Sequence, residues 1–169
     1  MELIGSEFLA EFYAPADVQR ARRAHFEAML TSFPWLATVD AFQHWIYTHP
    51  GHTKVERADA WLALRKRFGG LVDWTGYEQV HANLWHDVGH IFLSPFYFVE
   101  YGISCLGALQ VWANWKKDPK AALAAYKRGL ALGGSRPLPE LFAAADCKFE
   151  FGGEAIRPLV QLIRDELLR

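Results

Sequence analysis

The chain has 169 residues, with 18 Lys and Arg against 19 Asp and Glu, so its formal net charge is −1; 51% of it is apolar and 15% aromatic. That length and that supply of core-forming side chains predict one globular domain over residues 1–169 and exclude a disordered chain. Near-zero charge provides no field to hold nucleic acid or acidic lipid, so neither is expected as a partner.

Residues 3–13 mix apolar and acidic side chains and end at Ala14-Pro15. Pro15 suits a first helical turn, with Asp17 placed to meet the positive end of the helix dipole. Val18, Ala21, Arg22, His25, Met29 and Phe33 then recur at helical spacing. Pro34 is expected to restart or kink the chain, and residues 35–47 form an aromatic, half-buried segment. Thr48-His-Pro-Gly-His52 reads as a turn, and residues 53–68 return to helical spacing, with Ala60, Trp61, Leu64 and Phe68 on one side. Gly69-Gly70 stops that helix, and Asp73-Trp-Thr-Gly76 is a second turn.

Residues 82–92 lead into an apolar stretch beginning at Pro95, which is expected to open a helix. Asp118-Pro119 opens another that Gly133-Gly134 closes, and Pro137-Leu-Pro139 starts a short one. After Gly152-Gly153, Ile156, Leu159, Val160, Ile163 and Leu167 define a last amphipathic helix. No run alternates long enough to suggest a sheet. The pattern predicts an all-α, multi-helix fold with no sheet, built from about seven to nine helices.

Cys105 and Cys147 have no paired metal-ligand spacing and read as reduced, packed thiols. The first eight residues carry acidic side chains where a signal peptide needs basic ones, so a cytoplasmic location is expected. Between residues 95 and 115 the only charged side chain is Glu100. A carboxylate inside a lone membrane span is costly, and the stretch is better read as a buried core helix. Glu100 itself is expected in a structural ion pair.

The strongest chemical motif is His86-Asp-Val-Gly-His90. Two histidines four apart share a helix face, which is how His-Glu-x-x-His proteases present two imidazoles to zinc. Here Asp87 stands in the place of Glu, and no third ligand follows at a convincing spacing. His86 is expected to be a surface or capping residue. His90 invites a chemical role, because Tyr97 and Tyr101 follow it four residues apart, on one face of the helix expected from Pro95. A histidine and two phenols converging in this way can donate hydrogen bonds to a developing oxyanion. Asp40 and Glu56 carry no spacing that makes them an acid–base pair.

The segments Asp40-Ala-Phe-Gln-His-Trp-Ile-Tyr-Thr-His-Pro50, Glu56-Arg57, Trp85, His90-Ile-Phe-Leu-Ser-Pro-Phe-Tyr-Phe-Val-Glu-Tyr101 and Leu106-Gly-Ala-Leu-Gln110 resemble the C-terminal part of the oligoendopeptidase F branch of the thimet oligopeptidase family. The resemblance runs over nearly the whole chain. It implies part of the catalytic lobe of an all-helical, cytosolic zinc metallopeptidase that hydrolyses short peptides. It also implies that His90 and Tyr101, with Tyr97 beside them, stabilise the tetrahedral intermediate, and that Tyr97 and Tyr101 grip substrate. Phe92 and Val99 replace tyrosines often present in the family's run.

Met1-Glu-Leu3 resembles the end of the family's ligand-bearing helix. All three zinc ligands and the general-base Glu are therefore expected upstream of Met1, with no metal held by this chain alone. Two other readings stand beside this one. In the first, an inactive truncated product serves as a helical interaction module that forms a homo-oligomer or pairs with the missing N-terminal portion. In the second, His86 and His90 form an independent metal site with a carboxylate from elsewhere, such as Asp40 or Glu100.

Overall fold

The helical periodicity is realised almost throughout the computed structural model, which describes residues 1–168. In chain order the helices are α1 (Glu2–Gly5), α2 (Pro15–Thr48), α3 (Lys54–Phe68), α4 (Glu78–Asn83), α5 (His90–Leu93), α6 (Val99–Lys117), α7 (Pro119–Ala131), α8 (Leu138–Ala144) and α9 (Gly153–Leu167). Short 3-10 turns at Ser6–Glu11 and Leu84–Asp87 complete the set, and no strand occurs among the described residues. The fold is all-α, as the sequence predicts.

Local chemistry explains most of the boundaries. Thr53 caps α3 by accepting from the Glu56 N–H, while the Glu56 carboxylate accepts from the Thr53 N–H at 2.7 Å, a reciprocal capping box. At the other end of α3, a Cβ on Gly69 would collide with the Arg65 carbonyl. Asp118 caps α7 by accepting from Ala121 N–H at 3.0 Å, with Pro119 in the first turn.

Three local expectations are corrected. Pro34 neither restarts nor ends a helix; α2 runs through it to Thr48. The cost of one missing N–H is accepted inside a helix whose later turns bury Leu36, Val39 and Phe42. Pro95 does not open α6, which begins four residues later at Val99; Pro95 sits instead in a turn closed by Tyr97 N–H to Ser94 O at 3.1 Å. His86 and His90 do not share a helix, since the first lies in a 3-10 turn and the second starts α5.

The chain packs as two compact units, Met1–Glu27 with Ile103–Arg169, and Ala28–Gly102. In the first, Leu106, Leu109 and Trp112 of α6 are buried, as are Ala122 and Ala125 of α7 and Leu159 and Ile163 of α9. Phe26 meets the Trp112 ring at 5.3 Å. Beside them, Glu166, its side chain 3% exposed, accepts from Arg22 at 3.1 Å and Lys116 at 2.7 Å, and both cations also reach Glu7.

The second unit is built on Val39, Phe42, Trp61, Trp85, Val88 and Ile91. Phe42 meets Trp61 edge-on at 5.0 Å and Trp85 at 5.4 Å, and the Trp61 indole N–H donates to the His81 carbonyl at 2.9 Å. Each such ring contributes roughly 1.5–3 kcal/mol on burial. The consequence for function is positional. Val88 and Ile91 are anchored in this core, so His90, set between them in sequence, is fixed at its rim.

Candidate active site

His90 is the first residue of α5, and its half-buried ring is surrounded by aromatics. Its Nε2 lies 3.1 Å from the hydroxyl of Tyr101, in the first turn of α6. Bare, Nε2 accepts the phenolic proton; protonated, it donates to the phenol oxygen. The Tyr97 ring lies nearly parallel to His90, at 5.9 Å and 5°, while Tyr101 stands perpendicular to it at 5.6 Å. Tyr97 and Tyr101 meet edge-on at 5.7 Å. Phe98 closes the group, 5.2 Å from His90 and 5.5 Å from Tyr101.

The structure therefore brings His90, Tyr97 and Tyr101 together, by a route different from the one expected. Tyr97 precedes α6, and the two tyrosines do not share a helix face; they meet because Tyr97 leaves the turn at 94–97 just as its carbonyl accepts from Glu100 N–H at 2.9 Å. Both tyrosines are more than 40% exposed, so the group faces outward from the core that fixes it. Phe98 was not singled out in the sequence. Its signal is its place in an aromatic run between Phe96 and Tyr101, which composition alone does not separate from core.

Of the other candidates, His86, Asp40 and Glu56 have different partners, and Glu100 adjoins Tyr101 in the first turn of α6. His86 is exposed, its ring 3.8 Å from Trp85 and stacked with Phe92 at 6.5 Å. Asp40 lies 3.7 Å from His44. Glu56 is committed to the cap of α3, and the hydrogen bonds it accepts from Thr53 hold its carboxyl below the usual range. Glu100 is exposed, and the ion pair expected for it does not form among the described residues.

Among the described residues no group of three His, Cys, Asp or Glu side chains could hold a metal ion, so the residues present do not fit a catalytic zinc. Both cysteines are free thiols; burial raises Cys105, and burial with the neighbouring Asp146 charge pushes Cys147 up to about 11. No helix among the described residues is long and apolar enough to cross a membrane.

Comparison with known proteins extends this picture. The model of peptidase family M3 matches residues 7–157. A solved structure of a candidate oligoendopeptidase F is 30% identical, covering 90% of this chain and 27% of that one, with a TM-score of 0.78. PZ peptidase A, solved with an inhibitor, is 28% identical over 90% of this chain and 27% of its own, with a TM-score of 0.83. A candidate oligoendopeptidase F from Bacillus anthracis strain Ames shares the fold at 23% identity and a TM-score of 0.72, over 94% of this chain and 25% of its own. The chain thus spans about a quarter of the length of the solved structures it matches. No curated protein sequence matches it.

Proposed function

Because the chain belongs to peptidase family M3, we propose that it forms the C-terminal portion of a zinc-dependent oligoendopeptidase that hydrolyses short peptides in the cytoplasm. In this reading it supplies hydrogen-bonding and substrate-gripping groups, and sequence outside this chain supplies the zinc ligands. The observation that carries it is the 3.1 Å contact between His90 Nε2 and the Tyr101 hydroxyl, with the Tyr97 ring parallel to His90.

Peptide hydrolysis passes through a tetrahedral intermediate whose oxygen gains charge, and donors already aimed at that oxygen are worth more than donors that must reorganise. His90 and Tyr101 each have a group able to donate to that oxygen once it displaces their mutual contact, on segments fixed by the buried Val88 and Ile91 and by the start of α6. Tyr97 offers a ring face and a hydroxyl to a bound peptide. The described residues hold no zinc ligand set, and no step is assigned to the metal here.

The test has two parts. The purified chain, dialysed against a weak chelator and given zinc, is expected to retain far less than one equivalent and to leave internally quenched peptides uncut. Joined to the remainder of a related oligoendopeptidase, it is expected to cut them, with His90→Ala lowering kcat by about 10²–10³ and leaving zinc content unchanged. One zinc held by the chain alone, or turnover indifferent to His90→Ala, contradicts the reading.

One observation favours a second reading, that of a helical interaction module. Leu71 (108%), Leu93 (85%), Tyr77 and Val72 are large apolar side chains left exposed, surface that a partner could cover. Light scattering that gives a mass of two or more chains, reversed by charged substitutions at Leu71 and Leu93, supports that reading over the peptidase portion.

A further inference from the structure

The turn Ser94-Pro95-Phe96-Tyr97 carries a feature that neither the fold nor the aromatic site requires by itself. Tyr97 N–H donates to Ser94 O at 3.1 Å, Pro95 occupies the second position, and Phe96, in the third, has φ of 60°. A turn with Pro second and a positive φ third takes Gly or Asn there without strain. A bulky aromatic in that conformation is an outlier that persists only where its surroundings hold it.

The surroundings that hold it are on α2. The Phe96 ring lies 4.9 Å from His44 and 5.1 Å from Tyr47, two residues three apart and therefore on one face of the helix. This socket is no part of the buried core: Phe96 is 41% exposed, Tyr47 48%, and the His44 side chain 64%. One peptide unit further on, Tyr97 stacks on His90 at 5.9 Å and meets Tyr101 edge-on at 5.7 Å. Because the anchored ring and the stacked one belong to consecutive residues, a displacement of Phe96 is passed directly to Tyr97.

We propose that Phe96 is a positioning residue. Seated between His44 and Tyr47, it holds the strained turn that presents Tyr97 against His90 and Tyr101. Its importance for peptide hydrolysis rests on the functional reading above; the positioning itself does not. The strain has a plain rationale in these terms. Glycine would relax the backbone and surrender the anchor, whereas phenylalanine keeps the anchor at the cost of the backbone.

The experiment is aromatic NMR of the full chain, reading the ring-current shift that Tyr97 imposes on the His90 Hε1 and Hδ2 protons and the cross-peaks between the two rings. Phe96→Gly is expected to abolish the shift and the cross-peaks while the thermal midpoint stays near that of the unmodified chain. Phe96→Tyr is expected to restore both signals. The double variant His44→Ala, Tyr47→Ala removes the socket from exposed positions and is expected to produce the same loss with Phe96 intact, so the test survives if Phe96→Gly fails to fold. Unchanged His90 shifts and cross-peaks in Phe96→Gly or in the socket variant overturn the proposal. Turnover of the assembled peptidase that ignores His90→Ala is a separate result, and it counts against the functional reading alone.

Discussion

His90 Nε2 and the Tyr101 hydroxyl lie 3.1 Å apart, although they belong to different helices and stand eleven positions apart in sequence. The contact joins an imidazole held at the rim of a buried aromatic core to a phenol in the first turn of α6. Neither group needs the other to satisfy a buried polar atom, since the Tyr101 residue is 41% exposed. The contact therefore sits at a partly exposed rim, where one of the two groups donates to the other.

The ion network of the first unit is where a single charge matters most for folding. The Glu166 side chain is 3% exposed and accepts from both Arg22 and Lys116, whose side chains keep 27% and 23% exposure. Removing one partner of a buried pair costs roughly 3–5 kcal/mol, and the partial exposure of the cations, with Glu7 still beside them, places Glu166→Gln at or below the lower end, about 2–3 kcal/mol. Urea unfolding at neutral pH measures it, with an expected fall in midpoint and an unchanged slope.

Trp61 is the corresponding point in the second unit. Its side chain is fully buried and its indole N–H donates to the His81 carbonyl at 2.9 Å. Trp61→Phe removes that donor and opens space against Phe42, and the two effects together are expected to cost about 2–4 kcal/mol. The same denaturant experiment checks it, with the Glu166 variant as an independent site.

The cap of α3 gives a pH dependence with a definite sign. The Thr53 backbone and hydroxyl hydrogen bonds hold the Glu56 carboxyl below its ordinary value of 4.5. A carboxylate whose pKa is depressed on folding contributes stability that is fully present above 4.5 and lost as pH falls through the folded value. NMR titration of Glu56 is expected to show a midpoint below 4.5 in the native chain, returning toward it in Thr53→Ala.

Cys147 is expected to be slow toward alkylating agents. Burial, with the Asp146 charge beside it, pushes the thiol up to about 11, and only the thiolate reacts. Iodoacetamide labelling followed by mass spectrometry at pH 8 is expected to lag far behind a free cysteine, and Asp146→Asn is expected to shorten the lag.

The all-α fold was legible in the sequence because its signals are local. Apolar spacing marks α3 and α9, Thr53 with Glu56 marks a capped start, and Asp118-Pro119 marks another. At two prolines tertiary packing overrules local preference, so that neither Pro34 nor Pro95 starts a helix. Pro34 is carried inside α2 by a helix whose later turns are buried, and Pro95 is taken up by a turn whose third position only the α2 socket explains.

In the site, the convergence of His90, Tyr97 and Tyr101 was read from the residue types and from the family resemblance. Helical spacing predicts that convergence on one helix face, whereas Tyr97 lies before the helix and reaches Tyr101 edge-on across a turn. Phe96 and Phe98 were invisible as site residues, because nothing in an aromatic run tells an anchor from a core side chain.

The most direct measurement is kcat, KM and zinc content of Tyr101→Phe in the peptidase assembled from this chain and the remainder of a related oligoendopeptidase. The substitution removes one hydroxyl from a residue that is 41% exposed, so the fold is expected to be unaffected. A loss of about 10²–10³ in kcat with zinc content unchanged is the predicted result. An unchanged kcat, or loss of zinc in step with activity, contradicts the assignment of Tyr101 and His90 as donors to the developing oxyanion.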